Sequence, residues 1–158
     1  MTFKESQFAS VFNNFIKSIC DQFIDYGFSI NIKKSIFKLQ LNDFIINNLN
    51  DINSSNGRYY FSDNWNSYIP HASDPGVYIF FNKNRIGLYV GKTEVNGGLG
   101  VRISKHIGPC FNNSFPYLEF PQSKYIIVIP FKKAPFLSSS FESFLLLNYK
   151  FEYNTIFQ

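Results

Sequence analysis

The chain has 158 residues, 45% of them hydrophobic, and a formal charge of +4, enough for one compact domain with a real core and a small appendage. Cys20 and Cys110 are too few and too far apart for a disulfide framework or a metal cluster. No run approaches the roughly 18 apolar residues of a membrane span, and the N-terminus lacks the basic, apolar and small-residue order of a secretory signal, so no membrane and a reducing cytoplasm are expected.

Phe8, Val11, Phe12, Phe15, Ile16, Ile19, Phe23 and Ile24 follow the helical period and predict an amphipathic helix from Ser6 to Tyr26, ended by Gly27. Ile36, Phe37, Leu41, Phe44, Ile45 and Leu49 suggest a second helix over Lys33 to Asn50, and together the two read as an antiparallel helical hairpin. The hairpin either packs on the rest of the domain or serves dimerisation or DNA specificity. Asp51 to Asp74 is polar and turn-rich, a linker or surface loop. Arg58, Tyr59, Tyr60, Phe61 and Trp65 would anchor it or stack on bases. His71 has no partner at ligand spacing and reads as structural.

Gly76 to Phe81 and Ile86 to Lys92 are strand-like runs joined by the polar turn Asn82-Lys83-Asn84-Arg85, a β-hairpin. With Lys83 and Asn84 at the tip, Tyr78 faces Tyr89, Gly76 faces Gly91, Val77 faces Val90 and Ile79 faces Leu88. Alternation along the strands then puts both tyrosines on one face. Gly97-Gly98 breaks the chain. Leu99, Ile103 and Ile107 then form the buried stripe of a short helix, with Arg102 and His106 one turn apart on an adjoining face.

Gly108 to Ser123 carries Pro109, Pro116 and Pro121 and reads as a long ordered loop near that face. Lys124 to Pro130 is a β-branched run, a third and central strand, and Lys132 and Lys133 follow in a basic turn. Ser138 to Lys150 is apolar nearly all round, a buried last helix. Three strands with flanking helices make a small α/β layer fold. Residues 76–158 hold nine basic and four acidic side chains, residues 1–75 six and seven, so the positive charge lies in the half that carries the hairpin, as a phosphate-facing surface requires.

Gly76-Val77-Tyr78, then Tyr89-Val90-Gly91, then Arg102 and His106, then Glu142 and Asn154 resemble, in order and roughly in spacing, the pattern of the GIY-YIG nuclease family over residues 75–157. The interval from Tyr89 to Arg102 is somewhat long, and Phe151 or a neighbour stands where the family has a proline. The resemblance implies a GIY-YIG-like three-stranded sheet flanked by helices over residues 75–158, preceded by the N-terminal helical extension and loop of residues 1–74. It further implies a metal-dependent endonuclease acting on DNA, double-stranded, with Mg²⁺ or Mn²⁺ at Glu142. The alternative is a catalytically inactive nucleic-acid-binding module of the same fold. A homodimer through the N-terminal helices is a further expectation.

Hydrolysing a phosphodiester takes an activated water, a polarised phosphoryl oxygen and charge on the transition state. In the family pattern Glu142 binds the cation. From the helix alone, Ser139-x-x-Glu142 fits a capping box instead. Arg102 would stabilise the transition state or be a surface cation beside Lys105 and His106. Tyr78 resembles the water-activating base and Tyr89 a partner that orients phosphate or water, and cross-strand packing is the bland reading of both. Tyrosine titrates near pH 10 (about), so this base needs neighbouring cations or the metal to favour its phenolate, and Lys92, next to Gly91, is placed to help. His106 would contact phosphate or relay a proton, or have no role. Lys92, Arg102, Lys105 and Asn154 are the expected nucleic-acid contacts, with Asn154 alternatively bracing the site or fraying.

Overall fold

The computed structural model describes residues 1–23, 37–40, 69–94, 98–107 and 119–154. Among these, strands β1 (Phe37–Gln40), β2 (Gly76–Asn82), β3 (Gly87–Thr93) and β4 (Ser123–Pro130) form one antiparallel sheet in the order β1-β4-β2-β3. Helices α1 (Phe8–Phe23), α2 (Gly98–Ile107) and α3 (Phe136–Asn148) cover it. An α/β fold with the three expected strands and an N-terminal helix is therefore present.

The second expected helix is corrected. Residues 37–40, inside its span, are a strand whose backbone pairs with 125–128 of β4; the rest of that span lies outside the described residues. The sequence Phe-Lys-Leu-Gln alternates as well as it turns, and a short apolar run does not separate the two periods. The open edge of β4, with its unpaired backbone groups, decides it.

Each sheet face buries its own cluster. Val77, Ile79, Phe81, Val90, Ile127 and Ile129 point to α1 and α3, meeting Phe8, Phe12 and Phe15 from α1 and Leu137, Phe141 and Leu145 from α3. Tyr78, Phe80, Leu88, Ile126 and Val128 point to α2, meeting Leu99, Ile103 and Ile107. Covered on both sides, β2 is buried from Gly76 to Phe81, which explains its nearly continuous apolar run. The N-terminal phenylalanines pack edge to face, Phe12 on Phe141 at 5.1 Å and 73°, an arrangement favoured by the ring quadrupole. The apolar face of α1 is thus used inside the chain. The last helix is less buried than its composition suggests: Leu147 is 81% and Phe136 54% exposed.

The hairpin register differs from the expected one by two residues. Tyr78 faces Gly91, Gly76 faces Thr93, Val77 faces Lys92, Ile79 faces Val90, and Tyr89 faces Phe80. The turn takes three residues, Lys83 to Arg85. Asn82 Oδ1 accepts from the backbone N–H groups of Asn84 and Ile86, and Arg85 adopts φ 59°, a turn-plus-left-handed-residue loop. A bulge beside Phe80 and Phe81 then adds one residue. It turns Leu88 to the α2 face, away from its expected neighbours. A shift of two preserves alternation, so Tyr78 and Tyr89 still share a face, with ring centres 6.1 Å apart.

Helix α2 is set by the turn that precedes the sheet. The backbone N–H groups of Leu99 and Gly100 donate to the carbonyls of Asp74 and Ala72, satisfying helix-start donors that have no intrahelical partner. Gly98, at φ +64°, lies against the backbone of Ala72 and Ser73. His71 serves this turn, its Nδ1 lying 2.7 Å from Asp74 Oδ2, in keeping with a structural role. The helix therefore arrives with Arg102 and His106 facing the tyrosines.

Candidate active site

The Tyr78 ring is wholly buried and lies over Gly91, which has no side chain to obstruct it. An ideal Cβ there would stand 2.5 Å from Tyr78 Cζ and 2.9 Å from Cε2. Strand β2 carries the phenol inward, and α2 supplies its partner: Tyr78 Oη is 2.8 Å from His106 Nε2. The other ring nitrogen, Nδ1, is 2.5 Å from Glu119 Oε2. Tyr89, diagonal to Tyr78, stacks on Phe120 at 4.6 Å and 23°. A phenol, an imidazole and a carboxylate thus form one hydrogen-bonded line.

Burial pushes the Tyr78 hydroxyl well above the ordinary tyrosine range, helped by the neighbouring Tyr89 and only partly offset by Arg102. From the protein's own side chains alone, desolvation thus outweighs the cations at this hydroxyl. Tyr89 is raised too, again by burial first. His106 is held below its usual value by burial, with Glu119 opposing and Arg102 and Lys105 reinforcing, so its ring is neutral at pH 7. The 2.8 Å contact opens a relay to this phenol: it can pass its own proton to the ring beside it as it accepts another.

Lys92 does not reach the phenol as expected. It faces Val77 in the register, on the α3 side of the sheet, and its Nζ pairs with Glu94 at 2.8 Å and donates to Ser139. Ser139 in turn donates to Glu94. Arg102 is exposed on α2, and its charge acts on Tyr78, Tyr89, His106 and Glu142 alike. Lys105 is also exposed.

Glu142 is not a helix cap. Helix α3 begins at Phe136 with Pro135 before it, and no side-chain cap is made, so Ser139 and Glu142 fall past the first turn. Burial raises the Glu142 carboxyl, Lys92 and Arg102 lower it, and Glu94 adds to the rise. Free of capping, the carboxylate could offer a hard oxygen ligand to a divalent ion, but Lys92 and Arg102 add positive charge there, and among the described residues no three metal-ligating side chains gather.

The chain matches no protein-family model, no curated protein and no solved structure.

Asn154 braces the sheet. Its Oδ1 accepts from the Val90 N–H and its Nδ2 donates to the Val90 carbonyl, both at 2.9 Å. On the outer edge of β3, the amide does the work of one more strand, next to Tyr89. Both ends of the amide are occupied, so bracing describes it better than phosphate contact.

Sequence reasoning passed over Glu119, Phe120 and Glu94. Glu119 is the single acid between Gly108 and Ser123, in a loop already expected near the site, and that was the signal available. The first part of that loop lies outside the described residues. No helix among the described residues is long and apolar enough to cross a membrane.

Proposed function

We propose that the chain is a divalent-metal-dependent endonuclease of the GIY-YIG type, cutting DNA by phosphodiester hydrolysis. The observation that carries this reading is a buried tyrosine hydroxyl 2.8 Å from a histidine ring nitrogen, on a helix that also carries Arg102, whose charge, with that of Glu142, acts on the same phenol. A packing tyrosine has no need of a proton acceptor, a cation and an acid at once.

In this reading DNA binding admits a water to the buried Tyr78 Oη; the water gives a proton to Oη as the phenol passes its own to His106 Nε2, and the resulting hydroxide oxygen adds to phosphorus in line with the departing sugar oxygen. That oxygen leaves with its bond electrons and is protonated from solvent. Arg102, on the open side, offsets the charge that grows on the phosphoryl oxygens. Tyr89 orients water or phosphate beside Tyr78. Glu142, with Glu94 near it, would hold a Mg²⁺ or Mn²⁺ ion. When bound there, the ion supplies Lewis-acid polarisation of a phosphoryl oxygen and charge for the leaving oxygen. Lys105 on the exposed face of α2 and the basic surplus of residues 76–158 supply the attraction for the DNA backbone.

The test is nicking of supercoiled plasmid with Mg²⁺ or Mn²⁺, set against chelator. Relaxed circles that form only with metal are expected. Salt-sensitive plasmid binding without nicking under any divalent ion would replace this reading with that of a binding module.

A further inference from the structure

His106 is held at both ring nitrogens, and the second holder belongs to no part of the motif. We propose that Glu119 is a positioning residue for His106: it keeps the ring proton on Nδ1 and so leaves Nε2 bare toward the Tyr78 hydroxyl. The inference rests on the proton-acceptor role given to His106 above.

Its basis is the chemistry of the donors. An ionised carboxylate only accepts hydrogen bonds, so the nitrogen 2.5 Å from Glu119 Oε2 carries the proton. A neutral imidazole has one N–H. Nε2, 2.8 Å from Tyr78 Oη, is then the lone pair, and the phenol donates to it. The reverse tautomer would turn an N–H toward Tyr78 and close the route for its proton.

Glu119 is itself fixed in place. Its backbone N–H donates to the His106 carbonyl at 2.8 Å, so main chain and side chain of one residue grip the same histidine from two directions. The next residue, Phe120, is buried and lies 5.2 Å from the His106 ring at 33° while stacking on Tyr89. The His106 side chain is 12% exposed and that of Glu119 43%. The ring is shut from bulk water, while the carboxylate is half open to it.

Charge makes the same point. Arg102 and Lys105, on the ring's own helix, oppose a positive imidazole, and Tyr78 from β2 and Tyr89 from β3 face it as neutral phenols. Glu119 is the anion that favours the protonated ring. When the Tyr78 proton reaches Nε2, the Nδ1 proton stays where it is and the carboxylate balances the new charge. No proton passes to Glu119.

The test combines ¹⁵N NMR of the two imidazoles with plasmid nicking, on the full chain and on Glu119→Gln and Glu119→Asp. In the wild type the neutral His106 ring should be the Nδ1–H tautomer. A glutamine amide donates as well as accepts, so Glu119→Gln should mix the tautomers and lower the His106 midpoint by about one pH unit. Nicking at the pH plateau should fall about 10- to 100-fold, less than for a fully buried triad carboxylate because Glu119 is half exposed, while its acid limb moves to lower pH. Glu119→Asp, which keeps the charge, should restore part of the rate and the midpoint. Unchanged tautomer and midpoint in Glu119→Gln would overturn the proposal, even with a lower melting temperature, and reduce Glu119 to a loop anchor. A wild type that never nicks, with a tautomer that still follows residue 119, would sink the nuclease reading and leave the positioning role standing.

Discussion

Replacing Gly91 with alanine tests the site and the strand register together. The new Cβ would stand 2.5 Å from Tyr78 Cζ, where ordinary contact begins near 3.4 Å, so the ring must move by roughly 1 Å. It has nowhere to go. Tyr78 is wholly buried among Phe80, Tyr89 and His106. Overpacking of this kind costs about 1–3 kcal/mol, and stretching the 2.8 Å bond to His106 beyond hydrogen-bond range adds about 1 kcal/mol. For a domain of this size the melting temperature should drop by roughly 5–15 °C. Plasmid nicking should fall by about 10²-fold, the penalty for a misplacement of this order. Thermal melts of Gly91→Ala, Tyr78→Ala and the double variant form a cycle that isolates the clash, because in the Tyr78→Ala background the methyl finds space and costs little. Had Tyr78 faced Tyr89 instead, Gly91→Ala would be mild. A melting point within a degree of wild type, or equal losses in both backgrounds, would refute the register and the seating of the phenol.

Glu142→Gln should abolish nicking while leaving the fold intact. Burial raises the folded-state value of this acid, so its stability contribution declines as pH rises above its ordinary range; in chelator at pH 8 the variant should melt no lower than wild type, and a marked drop there would mean that the carboxylate has a structural duty. Arg102→Ala should slow single-turnover cleavage by about 10²–10³ with little change in melting temperature, and a rate within threefold (about) of wild type would remove it from the mechanism. Tyr78→Phe should lose about 10²–10⁴ in rate, Tyr89→Phe distinctly less. The wild-type rate should rise with pH through a midpoint below the ordinary histidine value of 6.5 and flatten by neutrality, because burial holds the His106 ring neutral there; a rate still climbing well above pH 8 would point to the phenol titrating on its own.

Local periodicity was enough to place much of this protein. The 3.6-residue spacing of Phe8, Val11, Phe12 and Phe15 fixes α1 and the face it buries; Leu99, Ile103 and Ile107 fix α2; the β-branched run fixes β4. The shared face of Tyr78 and Tyr89 was legible because alternation along a strand survives a slip of two residues. What needed the folded chain was everything set by a distant partner. The register follows from a left-handed Arg85 and a bulge and β1 from the open edge of β4, while α3 starts at Phe136 and leaves Glu142 outside any capping box. Lys92 is drawn to Glu94 and Ser139, and Asn154 is joined by its amide to Val90, 64 residues away in sequence. The step from tyrosine to histidine to Glu119 crosses a strand, a helix and a loop. Sequence order carries no trace of such a line, since hydrogen bonds between side chains are made by distance in space and are formed only once the core has brought those elements together.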